Sequence, residues 1–142
     1  MKHVMIAIFC CFISSIVHAW GESCSQYSVH INNVGTSDCV LKKHYILYGK
    51  LETDSKIPDV IFRNKETTFH MTAADGAAAC LLTYECGYDR SITFFTTTTM
   101  GSSYNKTRSG IIEAKNITAQ FEANPCNSFS SLPHEITWTL DP

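Results

Sequence analysis

The segment Tyr27-Ser-Val-His-Ile-Asn32 alternates apolar and polar side chains with a period of two, the pattern of a strand that is buried on one face. The face predicted to be buried carries Tyr27, Val29 and Ile31. The next residues, Asn32-Asn-Val-Gly-Thr-Ser-Asp38, are turn formers, and a β-rich run follows from Cys39 to Tyr48. This part of the sequence therefore predicts a strand, a turn and a second strand.

The same alternation returns near the end of the sequence. Its apolar positions are Ile117, Ala119 and Phe121 in one segment and Ile136, Trp138 and Leu140 in the next. Earlier, Ser91-Ile-Thr-Phe-Phe-Thr-Thr-Thr-Thr99 is dense in β-branched and aromatic side chains, which favour a strand. Because Gly76 interrupts the helical propensity of residues 71–80, this run is predicted to be a loop or single turn that leads into a strand ending near Tyr84.

Short strands separated by turns, with no helical period between them, predict the fold class. We expect an all-β protein that consists of a single antiparallel β-sandwich domain. The length of 142 residues supports one domain, and 44% hydrophobic with 17% charged residues is typical of a folded chain. A domain of this size buries roughly two thirds of its unfolded surface, so its core does not depend on disulfides.

The N-terminus has the features of a secretory signal peptide. A short basic start precedes an apolar run from Val4 to Val17, and the small side chains of Val17 and Ala19 suit cleavage after Ala19. We therefore expect residues 1–19 to be a signal peptide and residues 20–142 to be the secreted domain. The alternative is an uncleaved anchor, for which the apolar run is short.

The expected secreted domain is mildly acidic. The whole sequence has 11 Lys and Arg against 13 Asp and Glu, and loss of Lys2 with the signal peptide leaves 10 against 13, a formal net charge of −3. Nucleic-acid binding depends on basic side chains that neutralise phosphates, so we expect no nucleic-acid partner.

Cysteines in an exported chain meet an oxidising compartment, so two disulfides with one cysteine left over are expected. The candidates are Cys24, Cys39, Cys80, Cys86 and Cys126. Any of the five can be the unpaired one, and the other four allow three connectivities, so the pairing stays open. A bond near the two ends of the domain, where Cys24 and Cys126 lie, would staple the termini.

Two sequons match the acceptor pattern for N-glycosylation, Asn105-Lys-Thr and Asn116-Ile-Thr. Both are candidate surface sites in an exported protein. The Asn116 sequon runs into a predicted strand, so Asn116 is at risk of lying inside that strand, and Asn105 is the preferred site of the two.

No residue pattern typical of an enzyme stands out. The histidines of the expected domain are scattered, and none has metal-binding spacing: His30, His44, His70 and His134. The gap between Cys80 and Cys86 is longer than a usual zinc knuckle. We therefore expect no catalytic activity, no cofactor and no metal site.

Five short segments together resemble the aegerolysin family. They are Val29-His-Ile-Asn-Asn-Val-Gly-Thr-Ser-Asp38, Tyr48-Gly-Lys-Leu51, Ala73-Ala-Asp-Gly76, Met100-Gly-Ser-Ser-Tyr-Asn-Lys-Thr107 and Glu135-Ile-Thr-Trp-Thr-Leu140. In that family the second and fourth segments read Trp-Gly-Lys-Leu and Trp-Gly-Ser, and the third reads Ala-Ala-Glu-Gly. The motifs are short, so the resemblance lies in their order along most of the domain.

The resemblance implies a small β-sandwich that binds membrane sphingolipids, either sphingomyelin with cholesterol or ceramide phosphoethanolamine. It also implies lysis of cells, alone or with a larger perforin-like partner. Carried over by position, the headgroup acid is Asp75, and Tyr48 and Met100 take the two tryptophan positions. From strand position alone Tyr48 would be a core aromatic and Asp75 a turn former; the resemblance implies exposure of Tyr48.

These patterns lead to the hypothesis of a secreted, aegerolysin-like lipid-binding protein. Both tryptophan positions are substituted, and the Asn105 sequon falls in the loop that the resemblance turns towards lipid. The rival hypothesis is therefore a secreted β-sandwich that binds protein or glycan and has no lytic activity.

Overall fold

The computed structural model describes residues 26–74, 77–99, 109–124 and 134–142. Within these residues the chain forms two five-stranded sheets. The strands, in chain order, are β1 (Gln26–Asn33), β2 (Cys39–Tyr48), β3 (Lys50–Leu51), β4 (Val60–Ile61), β5 (Lys65–Thr72), β6 (Ala77–Cys86), β7 (Ser91–Thr99), β8 (Gly110–Lys115), β9 (Thr118–Asn124) and β10 (Glu135–Asp141).

The two sheets pack as a sandwich, which confirms the all-β fold class. The first sheet has the order β3-β5-β1-β10-β9, and the second has the order β4-β2-β6-β7-β8. One pairing differs from the expected antiparallel pattern, because β1 and β10 run parallel in the centre of the first sheet. The other pairings between the described strands are antiparallel.

The core lies between the sheets and contains the side chains that the alternation predicts. Tyr27, Val29 and Ile31 of β1 are buried, as are Ile136, Trp138 and Leu140 of β10. The Trp138 ring contacts both sheets, since its centroid lies 4.4 Å from that of Phe94 in β7 and 4.8 Å from that of Phe121 in β9. The strand period of two therefore positions the core.

Residues 71–80 were predicted to form a loop or single turn, but most of them belong to strands. Only residues 73–76 separate β5 from β6, and β6 already begins at Ala77. Ala78 and Ala79 are fully buried, and a side chain at Gly49 would lie 3.3 Å from Ala78. Small side chains are needed in this part of β6 because the connection between β2 and β3 passes close to it, and this packing overrides the helical propensity of alanine.

A disulfide joins Cys39 of β2 to Cys86 of β6, which are register partners. Cys80 is a free, buried cysteine. Cys24 and Cys126 lie outside the described residues. One of the expected bonds is therefore assigned, and it links neighbouring strands of the second sheet.

Candidate functional site

The C-terminal end of β2 exposes four consecutive large apolar side chains. Tyr45, Ile46, Leu47 and Tyr48 are 55%, 38%, 52% and 63% exposed, and we call them the apolar strand end. Consecutive residues of a strand point to opposite faces, so this stretch of β2 exposes apolar side chains on both faces.

The pairing of β2 explains why its end is uncovered. β4 pairs with Cys39 and Val40, and the Leu41 amide donates to the Asp59 carbonyl beside it. From Lys43 to Tyr48, the only strand among the described residues that pairs with β2 is β6. Two irregularities in the register, at Lys42 and at Leu47, mark bulges. Within the described part of the chain, the later half of β2 is therefore a sheet edge, and bulges are common at such edges.

The irregularity at Leu47 brings the two tyrosines onto one face. Tyr45 pairs with Leu81 and Tyr48 pairs with Ala79, and these two partners are separated by two residues on β6. Without an inserted residue, positions 45 and 48 would point to opposite faces. Since the core-facing positions of β6 include Leu82, both tyrosines lie on the face of the second sheet that points away from the core.

This outer face carries an apolar row that crosses three strands. Leu81 of β6 pairs with Tyr45 on one side and with Phe95 of β7 on the other. Leu81 and Phe95 are half-buried. The row adds apolar surface beside the strand end.

Gly49 turns the chain from β2 into β3 and adopts a φ of 76°. A Cβ atom at this position would lie 2.5 Å from the carbonyl oxygen of Thr72, and Lys50 pairs with Thr72 in register. Ala74 and Ala77 exchange two backbone hydrogen bonds of 2.9 Å across the intervening residues. Tyr48 is therefore at the end of the sandwich where β5 ends and β6 begins.

Of the three predicted lipid-binding residues, Tyr48 lies among the residues that the structure describes. Tyr48 is exposed, in contrast to the core position that its strand alone suggests. Asp75 and Met100 lie outside the described residues. Sequence reasoning missed Tyr45, Ile46 and Leu47; the available signal was a run of four apolar residues directly before a glycine, which also fits a strand buried on both faces.

The predicted glycosylation site at Asn116 lies in the turn between β8 and β9, not inside a strand. Its side chain is exposed, its φ is 53°, and its Nδ2 atom donates to the backbone oxygen of Asp89 at 3.0 Å and to Oδ2 of Asp89 at 3.2 Å. Asn105 lies outside the described residues.

Burial shifts the pKa values of titratable groups in the core in the direction that favours their neutral forms. Desolvation raises the pKa of the Cys80 thiol to about 12, and it also raises the pKa of Tyr27 and Tyr84. Burial lowers the pKa of His134. The Tyr27 hydroxyl lies 2.6 Å from Thr96 Oγ1, and the Tyr84 hydroxyl donates to the Pro58 oxygen at 2.9 Å. Both hydroxyls therefore have hydrogen-bond partners, which allows the two rings to be buried in the core.

The residues that the structure describes contain no group of three or more His, Cys, Asp or Glu side chains arranged to hold a metal ion. Among the same residues, no helix is long and apolar enough to span a membrane. The feature that stands out chemically is therefore the exposed apolar end of β2.

No known family model matches the sequence, and no curated protein sequence matches it. Several solved structures are similar in fold, and two of them are described here. The lipid-binding protein Nakanori superposes with a TM-score of 0.65 at 10% identity, over 90% of this chain and 75% of Nakanori. RahU, solved in complex with a Tris molecule, superposes with a TM-score of 0.57 at 10% identity, over 84% of this chain and 96% of RahU.

This chain shares its fold with both proteins. At 10% identity the likeness concerns the backbone. The side chains that would contact a ligand must therefore be identified from this chain itself.

Proposed function

We propose that the protein is a secreted, aegerolysin-like lipid-binding protein that docks on membranes through the apolar strand end. The observation that carries this proposal is the exposure of four consecutive large apolar side chains, with both tyrosines on one face. Tyrosine is suited to a membrane interface because its ring is apolar and its hydroxyl stays hydrated. The fold shared with Nakanori, which is described as lipid-binding, supports the same function.

Burial of the apolar strand end in a membrane supplies part of the binding free energy that a micromolar affinity requires. Burying a large apolar side chain completely yields roughly 1.5–3 kcal/mol, and the four side chains are about half exposed, so the strand end yields roughly 3–6 kcal/mol in total. A micromolar dissociation constant corresponds to about 8 kcal/mol. Contacts with the lipid headgroup, or binding through several molecules at once, must supply the rest.

The headgroup contacts follow from the resemblance. Asp75 is proposed to pair with the headgroup ammonium, with Tyr48 and Met100 at the interface, and the lipid is sphingomyelin with cholesterol or ceramide phosphoethanolamine. A net charge of −3 for residues 20–142 suits a zwitterionic headgroup better than an anionic leaflet, which attracts polybasic segments. Once bound, the protein acts as a cytolysin or as the targeting half of a pore that a perforin-like partner completes.

Sedimentation with liposomes tests the proposal. Vesicles of phosphatidylcholine alone, with sphingomyelin and cholesterol, or with ceramide phosphoethanolamine are mixed with deglycosylated protein. We expect pelleting with at least one sphingolipid mixture, and Tyr45→Ser/Tyr48→Ser should weaken it at least tenfold because two interfacial rings are lost.

Tyr88→Ser is the matched control, since Tyr88 is 98% exposed but lies between β6 and β7, away from the strand end. This variant should pellet like the wild type. Absence of lipid-dependent pelleting in every mixture would overturn the proposal in favour of a protein- or glycan-binding sandwich. Equal losses in Tyr88→Ser and in the double variant would overturn the assignment to β2.

A further inference from the structure

The sheet position beside β2 is only partly filled. β4 occupies it next to Cys39 and Val40, and among the described residues no strand lies there beside residues 43–48. Residues 43–48 are all exposed, and we call them the open edge. An uncovered strand edge presents unpaired backbone amide and carbonyl groups, so another strand can add to it.

The surroundings of the open edge define the strand that would fit it. β4 limits the space at one end, and at the other end Gly49, with a φ of 76°, turns the chain out of the second sheet towards β3. A strand in line with β4 would run antiparallel to β2, as β4 does. It would also need apolar side chains on both faces to cover the apolar strand end. The open edge of a second copy has the required length and character.

We propose that the open edges of two copies pair with each other, so that the protein forms a dimer in solution that masks the apolar strand end. A twofold axis perpendicular to the sheet relates the two edges and makes them antiparallel. Each copy then uses the same surface, so the contact closes after two copies and does not continue into a fibre. The second sheets of the two copies become one continuous sheet.

The faces of β2 set the register of this pairing. Directly opposed residues in an antiparallel pair lie on the same face. Tyr45 and Tyr48 lie on the outer face, whereas His44 pairs with a core residue and points to the other face. An axis at Ile46 would set Tyr48 against His44 and would mismatch the faces. An axis at Tyr45 sets Tyr48 against Lys43, which shares the outer face with Tyr45 because it lies two residues away.

The register centred on Tyr45 also suits the charges. Because the irregularity at Leu47 adds one residue, Leu47 and Tyr48 of each copy together face Lys43 of the other copy. An ammonium group is attracted to the face of a tyrosine ring. The two Lys43 side chains stay apart, because their Cα atoms are separated by about 14 Å along the strands.

The area of this contact indicates a weak dimer. The four side chains of the apolar strand end are about half exposed, so each contributes on the order of 100 Å², and two copies bury about 800 Å². Contacts along the backbone raise the total to roughly 1,000 Å², the lower limit for a specific interface. We therefore expect a dissociation constant of roughly 10–100 μM.

The dimer covers the same side chains that are proposed to dock on membranes, so its regulatory role rests on the proposed function. Concentrated protein keeps the apolar strand end away from water. Dilution, or capture of the monomer by a membrane, releases it. Self-association thus regulates the membrane-docking surface.

Sedimentation velocity of deglycosylated protein, from about 1 μM to about 300 μM, tests self-association. We expect the wild type to shift from monomer to dimer over this range. Leu47→Lys sets a second lysine against Lys43 of the other copy and should raise the dissociation constant at least tenfold. Ile112→Lys is the matched control, because Ile112 is 63% exposed on β8, the opposite edge of the second sheet, and this variant should dimerise like the wild type.

Tyr45→Cys tests the register. The two Cα atoms at position 45 would lie about 4.5–5.5 Å apart, within the range of a disulfide, so mild oxidation should link most of this variant into dimers. Lys43→Cys is the matched control on the same edge, since a separation of about 14 Å does not allow a disulfide. A wild type that stays monomeric over the whole range, or equal linking of the two cysteine variants, would overturn the inference.

Liposome sedimentation separates this inference from the proposed function. The disulfide-linked Tyr45→Cys dimer is compared with the same variant kept monomeric by iodoacetamide, using the sphingolipid vesicles described above. We expect the capped monomer to pellet and the linked dimer to bind at least tenfold more weakly. Equal binding would leave membrane docking in place and refute the masking. If the dimer forms but neither the wild type nor the capped monomer binds any vesicle, the interface stands and the membrane function fails.

Discussion

At the scale of single residues, Asn116 shows how a sequence motif and a structural role coincide. The sequon marks Asn116 as a glycosylation candidate, while its positive φ and its two hydrogen bonds to Asp89 give it a structural task. Asparagine is one of the few residues with a side chain that adopts this backbone region readily. A sequence pattern identifies the acceptor but does not reveal that its amide nitrogen is already used.

We therefore predict that Asn116→Ala lowers the free energy of unfolding by about 1–2 kcal/mol in protein made without glycans, because the hydrogen bonds and the favoured backbone residue are both lost. Urea denaturation measures this. Thr118→Val destroys the same sequon, keeps a β-branched side chain in β9 and leaves the Asn116 side chain in place. It removes only an exposed 3.4 Å hydrogen bond to the Asp141 carbonyl, so its effect should stay below about 0.5 kcal/mol. Equal effects of the two substitutions would contradict the structural role.

At the scale of elements, β1 and β10 were predictable and the end of β2 was not. β1 and β10 each bury one face only, so apolar and polar residues alternate along their sequences, and this alternation predicts a strand directly. In β2 the irregularities at Lys42 and Leu47 shift the alternation, and four consecutive apolar residues carry no period. The sequence therefore predicted the strand but not which of its side chains would be exposed, and the resemblance alone singled out Tyr48.

The connection from β2 to β3 sets the position of the apolar strand end. We predict that Gly49→Ala lowers the free energy of unfolding by about 1–3 kcal/mol, because a positive φ is strained for alanine and the added Cβ meets the Thr72 carbonyl oxygen. Thermal or urea denaturation measures the loss, and liposome sedimentation should weaken in parallel.

Gly110→Ala is the control for this element, since a Cβ atom there meets nothing within 4 Å. Its stability should change little. A Gly49→Ala variant as stable as Gly110→Ala would show that the connection tolerates a side chain.

At the scale of the whole molecule, contacts between distant parts of the sequence escaped prediction. The parallel pairing of β1 with β10 joins the two ends of the described chain, and no local period specifies which strands become neighbours. The disulfide was likewise one of many open pairings. It links Cys39 to Cys86, which are 47 residues apart, and so connects the first strand of the second sheet to the centre of that sheet.

This bond should stabilise the whole domain because it reduces the number of conformations that the unfolded chain can adopt. We predict that Cys39→Ala/Cys86→Ala lowers the free energy of unfolding by about 2–4 kcal/mol. Reduction of the wild type should destabilise it at least as much in urea denaturation, because it breaks this bond together with the second one that the sequence predicts. Cys80 should stay unlabelled by thiol reagents in the folded protein, since it is buried and its thiol has a pKa of about 12. Unchanged stability on reduction would mean that β2 and β6 hold together without the bond, and that their hydrogen bonds alone keep the apolar strand end in place.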